Sequence, residues 1–223
     1  MAEVTAAMVK ELREKTGAGM MDCKRALAES AGDFAKAEEY LRKKGIAGAE
    51  KRHGRIAAEG LVGTYVHGGR MGALVEVNCE TDFVARNEDF QRLVKDIAMQ
   101  VVAARPQWVR REEIPADVLE KEREIERHKL REQKRPEAIL DKAIAGKLEK
   151  FYEQNCLLDQ PWIQDDKKKI KELITEKAAK IGENISVRRF ARFEVGEGIE
   201  KRKEDLGAEV AKTLGTDNGA PGR

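Results

Sequence analysis

The sequence has no paired cysteines, few aromatic residues and no apolar run long enough to span a bilayer, and each lack removes a class of protein. Cys23, Cys79 and Cys156 stand far apart and none belongs to a Cys-x-x-Cys pair, so neither a zinc knuckle nor a disulfide framework is indicated. His53, His67 and His128 are equally isolated. No Gly-x-Ser-x-Gly, His-Glu-x-x-His or phosphate-cradling glycine loop occurs, so no enzyme and no cofactor is expected. Cys79, close to Thr81, is the one plausible nucleophile if there is a catalytic centre. A membrane span needs ~20 consecutive apolar residues, and none is present; the opening Met1-Ala2-Glu3-Val4 also lacks the basic and then apolar profile of a signal peptide. A cytoplasmic chain without a membrane partner is the expectation. Net charge is small as well, 43 basic residues against 41 acidic ones giving +2, so no global field draws the chain to nucleic acid and a protein partner fits better.

What is present is charge of both signs, 38% of residues, over a 41% hydrophobic content that covers an ordinary core in 223 residues. Residues 1–50 read as three short helices. Thr5 caps the first, with Met8, Val9 and Leu12 on one face, and Thr16-Gly17-Ala18-Gly19 breaks it. The second carries Met21, Cys23, Ala26 and Leu27, the third Phe34, Ala37, Tyr40 and Leu41. The basic, small-residue stretch from Gly45 to Glu59 fits either a linker, set at 51–59, or a solvated helix. Period two then replaces period 3.6: Leu61 to His67 and Met71 to Val77 alternate about Gly68-Gly69, a β-hairpin. Asn87 caps a helix carrying Phe90, Leu93, Val94, Ile97, Ala98, Val101 and Val102. Pro115 and Pro136 open two helices, one with Val118, Leu119, Ile125 and Leu130, the other with Ile139, Leu140, Ile144, Leu148 and Phe151; together they make a helical hairpin at about 115–160, closed by Pro161. Lys167-Lys168-Lys169, a solvated face or a binding patch, leads into a helix from Ile170 to Ile181. Ile185 to Val195 reads as a third strand buried on both sides. A short helix near Asp205–Lys212 and a disordered tail come last.

Two stretches carry a resemblance. Leu12-Arg13-Glu14-Lys15-Thr16-Gly17-Ala18-Gly19-Met20-Met21-Asp22-Cys23-Lys24-Arg25-Ala26-Leu27 and Glu76-Val77-Asn78-Cys79-Glu80-Thr81-Asp82-Phe83-Val84-Ala85-Arg86-Asn87 resemble the two signatures of the bacterial elongation factor Ts family. Lys180-Ile181-Gly182-Glu183-Asn184-Ile185 and Arg192-Phe193-Glu194-Val195-Gly196-Glu197-Gly198 extend it in order along the chain. The resemblance implies an α+β, mostly helical fold: a ubiquitin-associated-like head over 1–50, a dimerisation and exchange core over 60–198 with the hairpin inserted, and a tail over 199–223. It implies a guanine nucleotide exchange factor that binds the GTPase elongation factor Tu. Leu12, Arg13, Thr16, Gly17 and Met20 would then lie at the nucleotide domain, and Thr81, Asp82, Phe83 and Val84 would act on the GTPase, Phe83 as a wedge and Asp82 near its magnesium ion. His67 would make a second contact. Read alone, Leu12 also fits a core, and Phe83 a core anchor behind a Thr81 cap. Only one core copy fits between Gly60 and Glu197, where longer relatives have two, so a homodimer is expected. Cys156 is a packed thiol, or a cross-link if it lies near the dimer axis. A peptide-binding module would account for the head alone, and a scaffold for the hairpin alone.

Overall fold

The computed structural model describes residues 4–133 and 136–199; the expected C-terminal helix and tail lie outside them. Three helices, α1 (Ala6–Thr16), α2 (Met20–Glu29) and α3 (Phe34–Arg52), come first. Each carries one apolar stripe, and together they bury Val9, Leu12, Cys23, Ala26, Leu27, Ala37 and Leu41. Thr5 caps α1, accepting from the Met8 N–H. Of the four residues Met21, Cys23, Ala26 and Leu27 that the sequence puts on α2, the last three are buried and Met21 is 70% exposed. At 3.6 residues per turn it stands roughly 200° around the helix from Cys23, on the face away from the core. Helix α3 runs on through Gly45 to Arg52, so the basic stretch is helical there and only residues 53–58 are irregular. It serves two cores: Leu41 closes the head, whereas Ala49 belongs to the main cluster.

Strands β1 (Glu59–His67) and β2 (Met71–Cys79) form the expected hairpin. Gly68 and Gly69 both take positive φ, 55° and 67°, a conformation that glycine reaches without strain and that matches strand twist in a tight turn. After α4 (Asp82–Ala85) comes α5 (Glu88–Ala104), capped by Asn87 through the Asp89 N–H at 2.8 Å. The helical hairpin is α6 (Ala116–Glu132) and α7 (Glu137–Asn155), with a small core of Leu130, Leu140, Ile144 and Leu148. Val118 and Leu119 are only half-buried and Ile125 is exposed, because α6 meets α7 along a single narrow stripe. Pro161 starts a ribbon rather than simply ending the hairpin: β3 (Pro161–Trp162) pairs with β4 (Asp165–Lys169). The lysine run therefore sits in a strand, where Lys168 pairs with Glu176 and Lys169 with Glu153, both at 2.7 Å. Helix α8 (Ile170–Ile181) is next, then β5 (Ser186–Glu194), which adds antiparallel to β2.

The sheet order is β1-β2-β5. Its inner face, Tyr65, Ala73, Val75, Val77, Val187 and Phe190, packs with Phe90, Leu93, Ile97 and Val101 of α5. The expectation that β5 is buried on both sides is corrected: only its inner face is covered. Val62, Val66, Leu74 and Phe193 stand exposed on the outer face, Phe193 beside Gly72 and Gly72 beside Val66 in register. The fold is α+β and mostly helical.

Candidate partner-binding site

Strand β2 ends at Cys79, and the chain turns through Glu80 and Thr81 into the single helical turn of α4. Thr81 is extended, with φ −131° and ψ 155°, and its Oγ1 accepts from the Val84 N–H at 3.5 Å. A side-chain oxygen at that position satisfies one of the orphan donors of a helix start. The cap sets the directions of the α4 side chains. Ala85 turns into the core and Val84 packs half-buried against it, which leaves Phe83 pointing outward, 79% exposed. Phe83 is therefore no core anchor. The Asp82 carboxylate accepts from Arg86 at 2.9 Å on the same open surface.

The turn is held from behind by the segment between α8 and β5. One oxygen of Glu183 accepts from the backbone N–H groups of Glu80 (3.0 Å) and Thr81 (3.1 Å), and the other from the Thr81 hydroxyl (2.6 Å). In return, Glu80 accepts from the Asn184 N–H at 2.6 Å. The Asn184 amide donates to the carbonyls of His53 and Arg55, which ties the chain leaving α3 into the same network. Cys79 lies beneath, fully buried, its thiol donating to the Thr81 carbonyl. Burial, and then the Glu183 charge, push that thiol up to about 11. A buried thiol held protonated at neutral pH is a poor nucleophile. Cys156 is also fully buried and pushed up to about 11, first by burial and then by Asp159, as a packed thiol should be.

In the head, Arg13 is exposed on the last turn of α1 and Met20 is 57% exposed at the start of α2. The Thr16 hydroxyl donates to the Leu12 carbonyl at 2.7 Å, and Gly17, in the left-handed region, closes the helix. Leu12 is wholly buried in the head cluster, one position before the exposed Arg13. Gly17 faces the aliphatic chain of Lys180 on α8, and Lys180 pairs with Asp89 near the start of α5 at 2.7 Å. That hydrogen bond is the first cause holding the Asp89 carboxyl below its usual range. Lys180 thus spans from the α1–α2 turn to the helix just beyond Phe83. His67 is elsewhere, at the other end of the β1–β2 hairpin, where the Tyr65 hydroxyl lies 3.1 Å from its Nδ1. Nine residues of β1 separate the two ends, roughly 27 Å at ~3.4 Å per residue.

Sequence reading missed two features. Met21 joins Met20 on the open face of α2, and Glu183 and Asn184 brace the Thr81 turn. Both bracing residues lie in the Lys180–Ile185 stretch that shares the family resemblance, but their partners are about a hundred residues away and no spacing rule connects them. Among the described residues no helix is long and apolar enough to cross a membrane, and no group of three or more His, Cys, Asp or Glu side chains is placed to hold a metal ion.

The profile of the family described as Elongation factor TS matches residues 7–197. The elongation factor Ts of Myxococcus xanthus (strain DK1622) is 69% identical over 215 residues, covering 96% of this chain and 99% of that protein. That of Anaeromyxobacter sp. (strain Fw109-5) is 68% identical over 216 residues, and that of Desulforamulus reducens 61% over 215, each over the same shares of the two chains. With a family match along nearly its whole length and relatives more than 60% identical over 96% of the chain, the chain belongs to the elongation factor Ts family.

Proposed function

We propose that this chain binds elongation factor Tu during translation elongation in the cytoplasm and makes it release GDP, with no chemistry of its own. The observation that carries the reading is Phe83, a large apolar ring left in water on a capped, braced turn. Burying such a ring yields ~1.5–3 kcal/mol at one point, and a close-packed partner accepts it only by moving helices. Exchange follows from coupling: whatever factor the complex takes from GDP affinity, GDP takes from the affinity of the complex. Magnesium bridges protein and phosphate oxygens, and the backbone N–H groups of a phosphate loop hold the β-phosphate, so disturbing both removes the main attraction for the nucleotide. Asp82, beside Phe83, brings a carboxylate that competes with the ion's ligands or pulls on them. Arg13, Thr16, Gly17 and Met20 supply the grip from the head, with Leu12 behind them.

A homodimer completes the reading. The His67 loop and the Phe83 turn share this chain's single core copy, so a homodimer restores the second copy, and the open face of Val62, Val66, Leu74 and Phe193 is an apolar surface of the kind that association covers. The test is release of fluorescent GDP from purified elongation factor Tu. Acceleration that saturates with added factor is expected; release at the spontaneous rate with the two proteins bound would leave a binding module only.

A further inference from the structure

We infer that Glu183 is a positioning residue for nucleotide exchange, its carboxylate fixing the β2–α4 turn in the conformation that presents Phe83. The inference rests on the exchange reading and deepens it. Phe83 is 79% exposed, so its own contacts do little to orient it; its direction comes from the backbone on which it stands. That backbone is set at Glu80 and Thr81, and Glu183 takes both of their N–H groups and the Thr81 hydroxyl proton. A hydroxyl has one proton and two lone pairs. With its proton committed to Glu183, Thr81 Oγ1 turns a lone pair to the Val84 N–H, which is the cap that starts α4. A carboxylate accepts all three hydrogen bonds without offering a conflicting donor. Glu80 answers by accepting from the Asn184 N–H, so the two turns clasp each other and neither rotates alone. Ordering a group beforehand removes a cost at whichever step makes its contact; the burial of Phe83 is gained as the partner's helices move, so here the gain falls on the exchange step more than on the initial grip.

The test measures stimulated GDP release as a function of factor concentration, which separates the maximal rate from the half-saturating concentration. Glu183→Ala should lower the maximal rate about tenfold, equivalent to ~1.4 kcal/mol, while the half-saturating concentration stays within about twofold. Amide exchange should quicken at Glu80 and Thr81 and stay unchanged in α5. Glu183→Gln, which keeps one carbonyl acceptor and directs its amide at the Thr81 hydroxyl oxygen, should recover the rate to within about threefold. In a Phe83→Ala background, Glu183→Ala should add nothing further, since it acts through the ring. A wild-type maximal rate for Glu183→Ala, or losses that multiply in the double variant, overturns the inference while the exchange reading stands. Unaltered release by Phe83→Ala overturns the reading and takes the inference with it. Should Glu183→Ala fold poorly, Thr81→Val removes the shared hydroxyl instead: the same loss of maximal rate is expected, and a normal rate overturns the inference.

Discussion

A ring that stands in water costs the free protein little when it is removed, and Phe83 and Phe90 illustrate the difference seven positions apart. Phe83→Ala and Asp82→Ala should each leave the melting temperature within about 2 °C, since exposed substitutions fall within ~0.5 kcal/mol and Asp82 loses only an open ion pair with Arg86. Phe90, fully buried on α5, should cost ~3–5 kcal/mol when cut to alanine. Thermal melting of the three free variants measures this, and early melting of Phe83→Ala would place its ring in the core after all. The Thr81 cap was legible from residue type and place. The outward direction of Phe83 was not, because a strand-to-helix turn fits either orientation until the cap fixes the phase of the helix. The exposure of Met21 was not legible for a related reason: a short helix carries too few apolar residues to fix the angle of its stripe.

Among the elements, the helical hairpin is anchored at its base by Arg111. Its guanidinium makes paired hydrogen bonds to Asp159 and to Glu149 of α7, all between 2.8 and 2.9 Å, and lies over the Tyr152 ring. Asp159 is almost fully buried. Burial pushes its carboxyl up, but the hydrogen bonds and charge of Arg111 hold it below the ordinary 3.8. Arg111→Ala leaves Asp159 with Lys171 at 3.4 Å as its cationic partner, and a broken buried pair costs ~3 kcal/mol. A carboxyl depressed in the folded state stabilises fully above its unfolded value, and that contribution disappears as pH falls through the folded one. Urea unfolding should therefore show the gap between wild type and Arg111→Ala wide at neutral pH and narrowing below about pH 4; a constant gap would mean that Asp159 is not the group concerned. Long helices such as α5 were legible from their period. The β3–β4 ribbon was not, because Asp165–Lys169 is all charged and its partner strand has two residues. The end of α3 stays open in the sequence, because the basic, small-residue stretch from Gly45 fits a linker as well as a solvated helix; in the fold Gly45 lets α3 approach α8 until a Cβ would stand 3.0 Å from Ala179.

At the scale of the whole molecule, the head and the main body have separate apolar clusters but share α3. Deleting residues through Leu41 removes the head cluster and spares Ala49, so the remainder should fold and melt cooperatively while binding elongation factor Tu at least tenfold more weakly, ~1.4 kcal/mol. An unfolded remainder would make the head part of one core, and an unchanged affinity would remove it from the interface. The open sheet face belongs to this scale too. Sedimentation should find a dimer that Leu74→Glu converts to a monomer without unfolding it, and a wild-type monomer at micromolar concentration would contradict the homodimer. The outer face escaped sequence reading because β5 alternates apolar residues with arginines only imperfectly, and a strand's period does not reveal whether its second face meets another layer. The most direct test of the central claim pairs two readings on one preparation of Phe83→Ala: stimulated GDP release from elongation factor Tu, and melting of the free factor. Release at least tenfold slower, ~1.4 kcal/mol, with an unchanged melting temperature is the expected result; normal stimulated release by the folded variant would contradict it.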